Sequence, residues 1–334
     1  MKVHCLRNII FLLFFISLFL AFLSRKVDSA AEFLGQNVSD KIKLFISRVS
    51  SPIPFSLFEL FVILSPVLIF LLIKYVGTRE RFFKLLSILS LVGTLYIYTV
   101  FIPESCGAKL SAYDVSVSES ELISAAKILV SDVNKASQSE PLSLSLTSKK
   151  ISESYKKISH GFGVKYQKLP TPKPLITSNL TSYLGILALY AFPTSEICIN
   201  TNIPEYLIPH TAAHEYAHFL GVSFEGEANF LSYVACAETG VPYIVYSASL
   251  SVLEYLLSDI AKTDRETYTK LYNSLSERAK NDIESYREYS EKYTNSALYK
   301  LSEKISSSHQ TALGGGGCYY SAVSRYVTAY LTFS

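Results

Sequence analysis

The sequence predicts a three-helix transmembrane region over residues 1–105, followed by an α-rich α+β domain with a small sheet over residues 106–334. Three observations lead to this division. Only 18% of the residues are charged, whereas soluble domains carry about 25%. The apolar residues are concentrated in the first hundred positions. Helical patterns dominate the rest of the chain, apart from one short stretch that is rich in β-forming residues.

Three apolar segments are candidate membrane spans, at about residues 9–23, 57–73 and 85–102. The third is long enough, at about 1.5 Å per residue, to cross a hydrocarbon core of about 30 Å. The first is slightly short and is also typical of a signal-peptide core. However, no small-residue cleavage site directly follows it, so we expect an uncleaved span. Between the first two spans, apolar residues at helical spacing over about 40–49 predict an amphipathic helix on the membrane surface.

The distribution of positive charge predicts the orientation of these spans. The short loop 74–84 contains four Lys and Arg residues, and the N-terminal tail contains two. Because cytoplasmic loops are enriched in Lys and Arg, we expect a multi-pass protein of the cell membrane with a cytoplasmic N-terminus. Residues 106–334 would then be extracytoplasmic. The lipid bilayer is thus an expected partner, whereas the net charge of +3 is too small to indicate nucleic acid.

Four cysteines would share the outer side of the membrane in this topology, namely Cys106, Cys198, Cys236 and Cys318. In an oxidising compartment they could form two disulfides in three ways. The sequence selects none of these pairings, and buried thiols are an equally good interpretation.

The outer domain is predicted to be mostly helical. Residues 183–202 contain β-forming residues broken by a Pro-Thr-Ser turn, which predicts one or two short strands. The proline-rich stretch 167–178 predicts a connector, and the four glycines at 314–317 predict a loop or hinge. Helices are expected at about 116–137, 147–162, 208–220, 224–238, 241–262, 264–293, 296–308 and 318–331.

One of these helices contains the pattern His-Glu-x-x-His, formed by His214, Glu215 and His218. On an α-helix, residues i and i+4 lie about 40° apart in azimuth and one turn apart along the axis. Both imidazoles can therefore reach one Zn²⁺ ion at about 2.0–2.1 Å. Glu215 would project beside the metal, where it can take a proton from a bound water molecule.

A catalytic zinc site also needs a third protein ligand and an open position. Gly221 predicts a left-handed turn that carries the next helix back towards the metal, with Ser223 as a candidate N-cap. We favour Glu225 as the ligand over Glu227, which points about 200° away from it on the same helix. Asn229 shares the face of Glu225 and would hydrogen-bond a ligating imidazole.

His210 lies one turn before His214 and extends the histidine stripe. Three histidines along one straight helix span too much axial distance for one ion. His210 is therefore a weaker ligand candidate, and it is more typical of a cleft residue or a helix-start residue.

With this motif in place, the chain resembles a bacterial membrane family of unknown function, domain of unknown function 3810, which is grouped with HExxH metallopeptidases. The arrangement Glu-x-x-Ala-Asn, from Glu225 to Asn229, is similar to the Glu-x-x-Ala-Asp of membrane-embedded glutamate zincins. The segment FIPESCG departs from the family pattern, which has Trp and Asn-Tyr there, and His210 stands where an aromatic residue is expected. The matching pieces are PFSLFEL (54–60), YLGILALYAFPTSEICINTNIP (183–204), HEYAHFLGVSFEGEANFLSYVAC (214–236) and, more weakly, YSAVSRYVTAY (320–330).

The resemblance implies a zincin-like fold for the outer domain, with Glu225 as third ligand and Asn229 as its supporting residue. In zincins generally, a strand before the active helix lines the cleft and pairs with an extended substrate. Residues 191–200 are the candidate for that strand, although a plain core strand is an equally good interpretation.

These observations predict a membrane-anchored, zinc-dependent metallopeptidase that holds one Zn²⁺ per chain and hydrolyses a peptide or protein substrate. Glu215 would accept a proton from the zinc-activated water and pass it to the leaving amine. Tyr320 and His309 are candidate transition-state donors.

Two other classes remain open on the sequence alone. One is a catalytically inactive zinc-binding membrane scaffold or sensor with a zincin-like fold. The other is a structural protein in which the HExxH pattern is incidental. Neither the substrate nor the oligomeric state can be predicted from the sequence.

Overall fold

The computed structural model describes residues 2–105, 110, 115–312 and 319–333. The chain divides into two compact units. The first unit comprises residues 1–107 and 190–196, and the second comprises residues 108–189 and 197–334.

The first unit is helical. Three of its segments, Cys5–Lys26, Leu57–Tyr75 and Thr78–Phe101, are long and apolar enough to cross a membrane. They confirm the three predicted segments as apolar helices. The third begins earlier than residue 85, because hydropathy marks the apolar part of a helix and misses its polar first turns. The helices are α1 (Lys2–Lys26), α2 (Asp28–Leu34), α3 (Asp40–Ser50), α4 (Leu57–Tyr75), α5 (Thr78–Tyr96) and α6 (Ile102–Ser105), with π-helical turns at Gly35–Ser39 and Ile97–Phe101.

The first unit has an apolar surface around a small apolar core of Ala21, Leu34, Ile97 and Ile102. Large apolar side chains cover its surface, for example Phe15 and Leu89, which are each 66% exposed. Exposed apolar surface of this extent is compatible with membrane association, because lipid can cover it. Among the residues of this unit whose burial is described, the buried polar side chains are Ser17, Ser24, Ser39, Lys43, Ser47, Ser50, Ser56, Glu59, Ser90, Thr99, Thr194, Ser195 and Glu196.

Helix α3 covers the segment in which the sequence predicts an amphipathic helix. Its aromatic residue Phe45 and its Val49 are exposed, whereas Lys43 and Ser47 are buried. The Nζ atom of Lys43 lies 3.5 Å from a carboxylate oxygen of Asp40 on the same helix. The position of α3 on a membrane surface stays a prediction.

Residues 190–196 belong to the first unit, where the Glu196 carboxylate caps the N-terminus of α4. It accepts the backbone N–H groups of Leu57 at 3.2 Å and Phe58 at 3.0 Å, and also the Ser56 hydroxyl. The first N–H groups of a helix have no partner within the helix. A buried carboxylate from a distant part of the sequence therefore satisfies two of them, which the sequence does not indicate.

The second unit is a helical assembly with one small sheet. The sheet has the strand order β1-β3-β2, and β1 pairs in parallel with β3 through Lys173 and Cys198. Its strands are β1 (Lys173–Pro174), β2 (Ala188–Ala191) and β3 (Glu196–Ile199). Residues 190–196, from the end of β2 to the first residue of β3, belong to the first unit. Its helices are α7 (Glu119–Ala136), α8 (Leu144–Ile158), α9 (Ser178–Tyr183), α10 (Ile208–Phe219), α11 (Glu225–Glu238), α12 (Pro242–Thr263), α13 (Arg265–Asn273), α14 (Glu277–Thr294), α15 (Ala297–Ala312) and α16 (Tyr319–Phe333).

Helix α12 forms the centre of the second unit. It is as long and apolar as a membrane span, but 67% of its most apolar window is buried inside the structure. It packs against α7, α10, α11 and α16. Its apolar side chains are therefore covered mainly by other helices of the protein.

Two predicted elements differ from the structure. The helix expected over 264–293 is two helices, because Ser276 caps a new helix by accepting the N–H of Ala279 at 3.3 Å. The connector 167–178 contains the short strand β1, whose pairing with β3 depends on a contact that is distant in sequence.

Both cysteines in the described part of the second unit are buried. No disulfide joins Cys198 to Cys236 among the described residues. Cys106 and Cys318 lie outside the described residues, so their pairing stays open.

Candidate metal centre

Helix α10 carries the HExxH pattern and ends in a tight turn. The N–H of Val222 donates to the carbonyl of Ala217, and that of Gly221 to the carbonyl of His218, both at 3.0 Å. These two bonds define a Schellman motif. Gly221 has a φ of +96°, which residues with side chains rarely adopt. The predicted left-handed turn after His218 is therefore present.

The same turn orients the His218 ring. Its Nδ1 atom lies 2.8 Å from the carbonyl oxygen of Val222. A carbonyl oxygen can only accept, so Nδ1 carries the hydrogen, and the neutral ring has its lone pair on Nε2. That Nε2 atom lies 2.9 Å from Nε2 of His214. The backbone thus holds His218 in the tautomer that can coordinate a metal through Nε2.

Helix α11 begins at Glu225 and brings its carboxylate to both imidazoles. One carboxylate oxygen lies 3.1 Å from Nε2 of His214, and the other lies 3.7 Å from Nε2 of His218. Ligand atoms of the three residues all lie within 4.8 Å of one another. The structure therefore brings together the two histidines and the glutamate that the sequence selected.

The spacing of these atoms is compatible with one shared metal ion. Two ligand atoms that are each about 2.1 Å from one ion lie about 3.4 Å apart at the tetrahedral angle. The imidazole nitrogens lie 2.9 Å apart, and each is within 3.7 Å of one oxygen of the Glu225 carboxylate, so small side-chain adjustments would bring one oxygen and both nitrogens to a common ion. Two imidazole nitrogens and one carboxylate oxygen are also a donor set of catalytic zinc sites.

The three residues are electrostatically coupled. Burial lowers the pKa of His218, but attraction to Glu225 and Glu215 and the hydrogen bond to Val222 outweigh it and raise the pKa to about 9. Burial raises the pKa of the Glu225 carboxyl, but the imidazoles of His218 and His214 hold it well below its usual range. The site therefore concentrates negative charge that a cation can neutralise.

Glu215 lies between the two histidines on α10 and is only 7% exposed. Its attraction contributes to the raised pKa of His218. The helix that carries it is held firmly: the hydroxyl of Tyr155 donates to the carbonyl of Ala213 at 2.7 Å, and that of Tyr216 to the carbonyl of Pro170 at 2.9 Å.

Two predicted supporting contacts differ from the structure. The side-chain amide of Asn229 donates to the backbone carbonyl of Glu225 at 2.9 Å, and no hydrogen bond from it to an imidazole is present among the described residues. That acceptor lies one turn back on the same helix. Helix α11 starts with Phe224 as N-cap and without a side-chain cap bond, so Ser223 does not have the predicted capping role.

Glu227 and His210, the weaker ligand candidates, have other partners. A carboxylate oxygen of Glu227 accepts the N–H of Leu110 at 3.0 Å. Nε2 of His210 lies 2.8 Å from the hydroxyl of Ser232 on α11. Burial and the neighbouring His214 lower the pKa of His210 to about 3. His210 therefore links the two helices that carry the site as a neutral imidazole.

The proposed transition-state donors cannot be placed against the site. The side chains of Tyr320 and His309 lie outside the described residues. Both roles stay predictions.

The sequence did not indicate two contacts that shape the site, the Val222 carbonyl on His218 and the Ser232 hydroxyl on His210. Gly221 predicted the turn, but the contact of the Val222 carbonyl with the His218 imidazole depends on the detailed geometry of the Schellman motif. Ser232 carried no signal, because its partner lies 22 residues away on another helix.

Comparison with known families matches residues 36–309 to the family described as "Protein of unknown function (DUF3810)". That match covers most of the chain. No curated protein and no solved structure matches it. On the family match, the chain belongs to the DUF3810 family, whose function is unknown.

Proposed function

We propose that this protein is a membrane-anchored zinc metallopeptidase whose second unit lies on the outer face of the membrane. The observation that carries the proposal is the cluster of His214, His218 and Glu225, whose ligand atoms all lie within 4.8 Å of one another, which is a donor set of catalytic zinc sites. The HExxH helix and the glycine turn before Glu225 support the same interpretation.

His214, His218 and Glu225 would hold the ion. A zinc ion bound there would polarise the scissile carbonyl and lower the pKa of its water towards about 7. The Val222 carbonyl keeps the lone pair of neutral His218 on Nε2. Glu225, at the N-terminus of α11, is also stabilised as a carboxylate by the helix dipole.

Glu215 has the position of a general base. It is buried, adjacent in the chain to His214 and close enough to raise the pKa of His218, so its carboxylate would accept a proton from the attacking water and deliver it to the leaving amine. Positioned proton transfer of this kind contributes about 10²–10⁴-fold to a rate. The amide of glutamine has the same shape but cannot accept that proton.

The test is a comparison of full-length wild type with Glu215→Gln, both purified in detergent. We expect about one zinc ion per chain in both proteins and a loss of peptide hydrolysis of about 10²-fold or more in the variant. Zinc is measured by mass spectrometry and hydrolysis on a broad peptide library.

Glu238→Gln is the matched control, because Glu238 is an exposed glutamate at the end of α11, and it should retain both zinc and hydrolysis. Absence of zinc from the wild type would refute the metal site. Zinc with equal hydrolysis in wild type and Glu215→Gln would refute the role of Glu215. Zinc without any hydrolysis would favour an inactive zinc-binding scaffold.

A further inference from the structure

A cationic surface on α8 is independent of the metal centre. At about 100° per residue, Lys149, Lys150, Lys156 and Lys157 lie within an arc of about 120° on one side of this helix. We call these four residues the lysine face. The opposite side is buried through Thr147, Ser148, Ile151, Ser154 and Tyr155.

Helix α8 is fixed to the rest of the second unit by its buried side. The hydroxyl of Tyr155 donates to the carbonyl of Ala213 on α10, and that of Ser154 to the carbonyl of Ala235 on α11. The lysine face is therefore presented outward by a rigid helix.

Positive charge is concentrated in this part of the chain. Residues 149–168 contain six lysines and one acidic residue, Glu153, and so carry a net charge of +5, whereas the whole chain carries +3. Lys150 pairs with Glu153 at 3.8 Å and Lys157 with Glu238 at 3.5 Å. Exposed pairs of this kind are worth about 0–1 kcal/mol, so they leave the face strongly cationic.

The covalent chain tethers the second unit to the apolar helices of the first unit. The third apolar helical segment ends at Phe101 and α7 begins at Glu119. The connection between them, residues 102–118, can extend to about 60 Å at most. Lysines near an anionic membrane surface gain about 1 kcal/mol each, within about one Debye length.

We propose that the lysine face of α8 docks on anionic phospholipid headgroups of the bilayer that the first unit enters. The proposal depends on the membrane association of the first unit and not on zinc or hydrolysis. The lysines act as point charges for headgroup phosphates, and the contact is weakened by salt.

The absence of tryptophan from the sequence allows a direct test on the full chain. His160→Trp places the only tryptophan at an exposed position that continues the arc of the lysine face, and Thr269→Trp places it at an exposed position on α13. Each variant is reconstituted in vesicles of brominated phosphatidylglycerol or brominated phosphatidylcholine. We expect phosphatidylglycerol to quench the tryptophan at 160 about twofold more than that at 269, and about 0.5 M salt to remove the difference.

Two fourfold variants in the His160→Trp background separate the lysine face from overall charge. Replacing Lys149, Lys150, Lys156 and Lys157 by Gln should reduce quenching to the level of Thr269→Trp. Replacing the exposed Lys127, Lys135, Lys262 and Lys270 by Gln changes the charge equally and should leave quenching unchanged.

Equal quenching by both lipids, or equal effects of the two fourfold variants, would overturn the proposal. A third result would also overturn it: no lipid quenching, together with binding of an acidic peptide that only the α8 variant loses. That outcome would assign the face to a protein partner.

Discussion

Glu225 and Glu227 are two residues apart on α11, yet the fold gives them different surroundings. Because residues two apart on a helix point about 200° away from each other, only Glu225 reaches the imidazoles of His214 and His218. Glu227 is buried against the N–H of Leu110 instead. Sequence position alone does not separate the two carboxylates, whereas their contacts do.

We therefore expect Glu225→Gln and Glu227→Gln to differ in zinc affinity. Loss of the Glu225 carboxylate should weaken zinc binding by at least about 100-fold, because even residues that only support ligands contribute about 10–100-fold. Glu227→Gln retains a carbonyl oxygen for Leu110 and should bind zinc as the wild type does. A chelator-competition titration of the two full-length variants measures the difference. A larger loss of zinc affinity in Glu227→Gln would show that Glu227, and not Glu225, is the third ligand.

At the scale of elements, the Schellman turn at the end of α10 has two consequences. It directs the chain into α11, and it places the Val222 carbonyl on Nδ1 of His218. The turn requires the positive φ of Gly221. Its backbone geometry is therefore part of the metal centre as well as of the fold.

Gly221→Ala should lower both stability and zinc affinity. A left-handed conformation costs a residue with a side chain about 1–2 kcal/mol, and relaxation of the turn would move the carbonyl away from His218. Gly163→Ala is the matched control, since Gly163 also has a positive φ of 67° with open space around an added Cβ. We expect similar decreases in the thermal midpoint and a decrease in zinc affinity for Gly221→Ala alone. Unchanged zinc affinity in Gly221→Ala would show that the geometry of the turn does not contribute to zinc binding.

The carboxylate cap of α4 leads to a prediction for the first unit. Glu196 accepts the N–H groups of Leu57 and Phe58, and hydrogen bonds to charged groups contribute about 1.5–3 kcal/mol. Glu196→Gln should therefore lower the free energy of unfolding by about 1–2 kcal/mol, seen as a lower thermal midpoint in detergent. Glu238→Gln, at an exposed position, should leave the midpoint unchanged. An unaltered midpoint in Glu196→Gln would show that the cap contributes no net stability.

Local sequence patterns could predict the elements whose structure depends on residue types and spacing within one continuous segment. The apolar helices, most helices of the second unit, the HExxH pattern and the turn at Gly221 belong to this class. The contacts of Glu196 with α4, the pairing of β1 with β3 and the bond from His210 to Ser232 join distant parts of the sequence. No periodicity or spacing specifies such contacts, because they depend on how the elements pack.

At the scale of the whole molecule, the two units differ in how much apolar side chain they expose. The first unit exposes large apolar side chains over its surface, whereas the second unit buries apolar helices such as α12. The apolar surface of the first unit is compatible with membrane association. The proposed function also specifies that the second unit lies on the outer side of the membrane. Side-chain burial does not determine this side.

Residues 74–84, which comprise the end of α4, a short turn and the start of α5, make that side testable. They carry four Lys and Arg residues, and short connections of this kind are enriched in positive charge on the cytoplasmic side. Alkaline phosphatase, which is active only after export, should be inactive when fused after residue 76 and active when fused after residue 55 or 334. Green fluorescent protein at the same three positions should give the opposite pattern, which controls for expression. Phosphatase activity at 76 together with fluorescence at 334 would place the metal centre in the cytoplasm. The HExxH helix would then act on cytoplasmic substrates, and the outer-face proposal would be wrong even if the zinc site were correct.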